Sequence, residues 1–212
     1  MYNIERLSET LANNIASELN FDTDRKEVIQ YGIFAMIQIA LSIVSVLIIG
    51  AFLNIMWEAF IVSLAITILR KSSGGAHATS PGKCTFIGTS ISLIIAIVLK
   101  NIYSLNIVLT IVFIGFIISY YLVYKLAPVD SISKPIRNQE KIKRLKKNSI
   151  IIVSIYLILV IINILTFKIT GHKYFISYAL CICGGMLWQV MSLTKFGHKL
   201  IEIIEYFINK IL

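Results

Sequence analysis

Residues 149–167 read SIIIVSIYLILVIINILTF, nineteen consecutive positions without a charge. Lys141, Lys143, Arg144, Lys146 and Lys147 lead into the run. Coiled as a helix it covers about 28 Å, close to the ~30 Å hydrocarbon core of a bilayer. A surface helix of a soluble domain would carry polar residues along one face. This stretch therefore reads as a membrane span with a basic flank.

Similar runs fill most of the chain. It has 212 residues, 57% of them hydrophobic, with a mean hydropathy of +0.82. Soluble domains are typically ~45–50% apolar, and here the excess is gathered into long runs. Six spans follow, at 29–51, 54–70, 85–99, 105–126, 149–167 and 174–194. Those at 54–70 and 85–99 are short, about 24 Å each, and imply local thinning or ends held by protein. The expected fold is an all-α integral membrane protein of six transmembrane helices, with amphipathic interfacial helices at both termini. One membrane domain, 1–212, divides into an N-terminal helix over 1–22, a bundle over 29–194 with a loop at 70–84 and a basic loop at 127–148, and a C-terminal helix over 196–212.

The net charge of +9 raises the question of nucleic acid, but the placement of the charges answers it. Of the 20 Lys and Arg, only Lys100, Lys168 and Lys173 fall in turns on one side. The positive-inside rule puts the other side, and both termini, in the cytoplasm. No nucleic-acid partner is expected. The first 28 residues show no apolar core and no small-residue cleavage site, so no cleavable signal peptide is expected.

Ile4, Leu7, Leu11, Ile15 and Leu19 share one face of the N-terminal segment. Phe196, Leu200, Ile203, Ile204, Phe207, Ile208 and Ile211 do so at the other end, with Lys199, Glu202, Glu205 and Lys210 mostly opposite. Pro128 ends the fourth span, because it has no amide hydrogen to continue a helix.

Chemistry concentrates between the second and third spans, in Arg70-Lys71-Ser72-Ser73-Gly74-Gly75-Ala76-His77-Ala78-Thr79-Ser80-Pro81-Gly82-Lys83-Cys84. A thiolate is the strong nucleophile among side chains. Cys84 opens the third span, where free backbone N–H groups favour an anion, and Lys83 adjoins it. His77 can reach it if the loop folds back, and can act as its base. Gly74 and Gly75 permit turns closed to other residues and can aim N–H groups at an oxyanion. Arg70 either holds a substrate carboxylate, pins the loop or caps its helix. By spacing alone, the pair also suits a packed cysteine and a structural histidine. Ser72, Ser73, Thr79, Ser80, Asp130 and Gln139 are the candidates to orient the histidine.

The pattern Arg70-x-x-x-Gly74-Gly75-x-His77-Ala78, followed by Cys84, resembles the signature of the accessory gene regulator protein B (AgrB) family. The likeness takes in the length, the span number, the basic loops and the Lys134-Pro135 step. It implies a cysteine endopeptidase of the bacterial cytoplasmic membrane that cuts an AgrD-like propeptide near its C-terminus and promotes a thiolactone ring for quorum sensing. It further implies Cys84 as nucleophile, His77 as base, Arg70 and Gly75 as supporting positions, and a homodimer. Ala76 departs from the family, many members of which carry an aromatic residue just before the histidine.

The remaining polar positions are weaker. Gln189, near the cytoplasmic end of the sixth span, suits a substrate or interhelix hydrogen bond. Glu58 lies too far from the motif. Cys181 and Cys183 point to nearly opposite sides of a helix and read as packing rather than metal ligation. Gly184 and Gly185 beside them suit close helix approach. His172 falls on the far side of the bilayer, and His198 on the near side. No metal or cofactor is expected. The competing class is a membrane peptide transporter without covalent chemistry, which would use the same spans and basic loops.

Overall fold

A computed structural model describes residues 2–76, 78–130 and 138–211. Its elements are eight helices: α1 (Tyr2–Glu18), α2 (Thr23–Phe52), α3 (Met56–Ser73), α4 (Pro81–Leu99), α5 (Leu105–Leu126), α6 (Gln139–Thr170), α7 (Lys173–Met191) and α8 (Lys195–Ile211). Five of them, α2, α4, α5, α6 and α7, are long and apolar enough to cross a membrane.

The expected second span, α3, is not among the five, because its 18 residues carry Glu58, Arg70 and Lys71. It nevertheless sits at the centre, packed against α2, α4, α6 and α7. Ala59, Val62, Ala65, Ile66 and Leu69 bury one side of it against these neighbours, while Trp57, Ile68 and Lys71 stay exposed. Gly185 of α7 lets the two central helices meet: a Cβ there would lie 2.7 Å from the Val62 carbonyl oxygen. A core of Leu69, Phe116, Val153, Tyr156, Leu180 and Met186 fills the space between α3, α5, α6 and α7. Val46, Ala59, Val62, Leu93, Ala96 and Cys181 fill a second core towards α2 and α4. Cys183 turns the other way, its sulfur facing Gly115 of α5. The two cysteines are thus packing residues on two faces, as their spacing suggested.

Two corrections concern loops. The basic segment read as loop 127–148 is helical from Gln139 onward. Asn138 caps it by accepting from the N–H groups of Glu140 at 2.9 Å and Lys141 at 3.2 Å, and the lysines and arginine that follow are good helix formers. Lys134 and Pro135 lie outside the described residues. The loop read as 70–84 is really 74–80, because α3 runs to Ser73 and Pro81 opens α4.

The terminal helices also differ in which face packs. α1 buries Ser8, Ala12 and Ala16, and leaves Leu7, Leu11, Ile15 and Leu19 exposed. Small residues allow the closer approach to α2. α8 buries Ile201 and Glu205, while Phe196, Ile203 and Phe207 stay exposed.

The connections gather at two ends. At one, Lys100 Nζ donates to the Asn54 carbonyl, and Lys173 Nζ lies 5.1 Å from the Tyr103 ring centre. At the other, the Val129 N–H donates to the Ser73 carbonyl at 2.9 Å and the Ala76 N–H to the Ser192 carbonyl at 3.1 Å. Cys84 belongs to this second end, and Glu58 and His172 to the first.

Candidate active site

The thiol sits in the first turn of α4. Ser80 caps this helix by accepting from the Lys83 N–H, and Pro81 occupies its first turn, where the missing N–H costs nothing. Cys84 is partly exposed, and the helix dipole there favours negative charge. Arg70 stands in the last turn of α3, across the 74–80 connection from Cys84. His77 lies outside the described residues.

Among the described residues, the backbone of this connection is held from α3, α7, α8 and the segment that follows α5. Arg70 donates to the Ala76 carbonyl. This supports the loop-pinning role over the carboxylate-holding one. Gly74 pairs with Val129 in an isolated parallel bridge, at φ +67°. Gln189 Nε2 donates to the Gly74 carbonyl at 2.7 Å and to Ser73 Oγ at 3.1 Å. Gly75 lies at φ +127°, and a Cβ on it would come within 2.5 Å of Ser192 Oγ. Arg70, Gly74, Gly75 and Gln189 are therefore gathered into one braced turn. Gln189 is 0% exposed, so it is a brace for the turn rather than a surface for substrate. Its Oε1 has no hydrogen-bond partner among the described residues.

Glu205 of α8 joins this site, although the sequence pattern placed it on the helix's polar side. It is 6% exposed, on the same face as Ile201, Ile204 and Ile208, which pack on Ala76, Ala78, Ile87 and Ile91. Its carboxylate accepts from the Thr79 N–H at 3.0 and 3.2 Å and from the Thr79 hydroxyl. Lys83 Nζ pairs with it at 3.2 Å. Burial works to raise its pKa, but the Thr79 hydrogen bonds and Lys83 outweigh it and hold the carboxyl below the usual carboxylate range. Stability from this contact is thus present above the ordinary glutamate value of ~4.3 and is lost only as pH falls through the lowered one. The one available signal was a glutamate at i, i+3 and i+4 from buried isoleucines. His198, also on α8, lines a recess with Leu193, Lys195, Lys199 and Glu202 that does not include Cys84.

The family model described as Accessory gene regulator B matches residues 8–193. The chain belongs to the AgrB family. An AgrB-like protein 2 of Clostridium perfringens strain 13 is 43% identical over 99% of this chain and 100% of its own. An AgrB-like protein of strain SM101 is 44% identical with the same coverage. A second strain 13 protein, AgrB-like protein 1, is 31% identical over 82% of this chain and 90% of its own. No solved structure matches. AgrB membership implies involvement in agr quorum-sensing peptide processing and an AgrD-type propeptide as partner. Ala76 is buried in one cluster with Ile87 and Ile201.

Proposed function

We propose that this protein is a membrane-embedded cysteine endopeptidase that cleaves an AgrD-type propeptide through Cys84 and closes a thiolactone. α3 completes a six-span bundle, both termini are cytoplasmic, and the site opens at the inner leaflet. The observation that carries the reading is a partly exposed thiol in the first turn of α4, joined by a short connection to a glycine turn that Arg70 and Gln189 brace.

His77 takes the Cys84 proton, and the thiolate attacks the scissile carbonyl carbon. The oxyanion collapses, the C–N bond breaks, and the imidazolium returns the proton to the leaving amine. The acyl group is now a Cys84 thioester. A cysteine thiol within the propeptide attacks that carbonyl, forms the ring thioester, and releases the Cys84 sulfur, which regains the proton. The second step exchanges one thioester for another and is near balance. The first gives up an amide for a thioester and is uphill, so it needs the released fragment to leave. Keeping water away protects the thioester from hydrolysis.

Acid quenching during turnover, followed by mass spectrometry, tests this. A propeptide fragment is expected on Cys84 as a hydroxylamine-sensitive thioester. Steady cleavage with no adduct at Cys84, even when the propeptide's internal cysteine is replaced to block ring closure, overturns the mechanism and the covalent role with it. The rate has its own signature. Under conditions where chemistry limits, it is expected to fall as pH drops through ~6.5, where histidine gains a proton. Glu205 does not produce that fall, because its carboxyl stays ionised to lower pH. A profile flat across that range removes His77 from the base role.

A further inference from the structure

We propose that Glu205 is a positioning residue of the thiol site, which makes the C-terminal helix α8 part of the catalytic apparatus. The proposal rests on the reading of Cys84 and His77 as the reacting pair. The geometry is specific to the segment between them. Thr79 follows His77 by two positions, and Lys83 directly precedes Cys84. One carboxylate ties both: it takes the Thr79 N–H and hydroxyl on one side and Lys83 Nζ on the other. Lys83 Nζ also donates to Thr79 Oγ1 at 3.3 Å, closing the cluster. The chain joining base and nucleophile is thus drawn into a closed turn by a residue more than a hundred positions away.

A packing role alone would not select this side chain. Glu205 lies on the face that Ile201, Ile204 and Ile208 seat against Ala76, Ala78, Ile87 and Ile91. A fourth apolar residue there would dock α8 without the cost of burying a carboxylate. What the carboxylate adds is directional hydrogen bonding to a loop amide, and that fixes the loop's register rather than its burial. Glu205 also lies beyond residues 8–193, which the family model matches. The clamp is therefore supplied by a part of the chain outside the matched region.

The test uses the full-length protein in membranes, with its propeptide, and three variants. Glu205→Ala is expected to lower kcat at least about tenfold, with KM within about twofold, because a small displacement of reacting groups costs rate rather than affinity. Glu205→Gln keeps an oxygen for the Thr79 N–H but loses the Lys83 pair, and is expected to recover part of kcat. Amide hydrogen exchange over residues 78–84 supplies a readout that does not depend on cleavage. It is expected to quicken in Glu205→Ala and less so in Glu205→Gln, while exchange in α5 and α7 stays unchanged. Wild-type kcat in Glu205→Ala overturns the proposal. So does a loss of rate without faster exchange at 78–84, or with faster exchange throughout the bundle. Cys84→Ala, run alongside, separates the two ideas. If it still cleaves, the nucleophile reading fails, whereas the exchange result judges the clamp by itself.

Discussion

Cys84→Ala is expected to reduce propeptide cleavage to background while leaving the amount of protein in the membrane unchanged. Removing the nucleophile of a covalent mechanism costs on the order of 10⁶-fold in kcat in a well-studied hydrolase, far below any cleavage assay run on membranes. The structural cost is small. Cys84 is partly exposed in the first turn of α4, alanine suits a helix, and substitutions at such positions usually change stability by about 0.5 kcal/mol or less. Activity and folding thus separate at this residue. Immunoblotting of the membrane fraction beside a cleavage assay reads both. A variant that cleaves at the normal rate means that Cys84 is not the nucleophile and that the chemistry lies elsewhere.

Gly74→Ala is expected to damage the fold itself. Gly74 combines φ +67° with ψ −147°, a region essentially confined to glycine. A Cβ there would sit 2.0 Å from the Val129 carbonyl oxygen, and that atom is backbone and cannot swing away. The strain is about 1–3 kcal/mol. Relieving it means parting Ser73 from Val129 and Gly74 from Gln189, each hydrogen bond worth about 1 kcal/mol. The expected loss is roughly 2–3 kcal/mol, seen as a lower thermal midpoint in detergent together with loss of cleavage. Gly88→Ala is the matched control. Its Cβ would meet nothing within 4 Å, and in mid-helix it is expected to be neutral or stabilising by up to about 1 kcal/mol. Equal midpoints for Gly74→Ala and the parent protein would mean that the turn carries no strain.

Much of this architecture was legible from hydropathy, for a physical reason. In a bilayer the solvent is apolar, so a lipid-facing helix must be apolar around most of its surface, and run length alone locates it. The fourth span, 105–126, coincides with α5 residue for residue. Reading failed where a helix runs on beyond its apolar stretch. α6 continues through five basic residues because helix formation does not depend on hydropathy. The residues of the glycine turn could be named from the motif, but their braces could not. Gln189 and Val129 reach it from α7 and from the exit of α5, and neither partner is local. Glu205 was hidden more thoroughly. A glutamate on an amphipathic helix is ordinarily a solvated residue, and only the packing of α8 shows that its face turns inward.

α2 is the least embedded of the helices. Over 30 residues it buries only Val46 and Gly50. Its apolar length exceeds the hydrocarbon thickness, a mismatch that tilting or local thickening of the bilayer accommodates. One polar link crosses from it towards the thiol: Thr85, the residue after Cys84, donates its hydroxyl to Gln38 Oε1 at 2.9 Å. Any shift of α2 thus has a hydrogen-bonded route to the first turn of α4, the turn that carries Cys84.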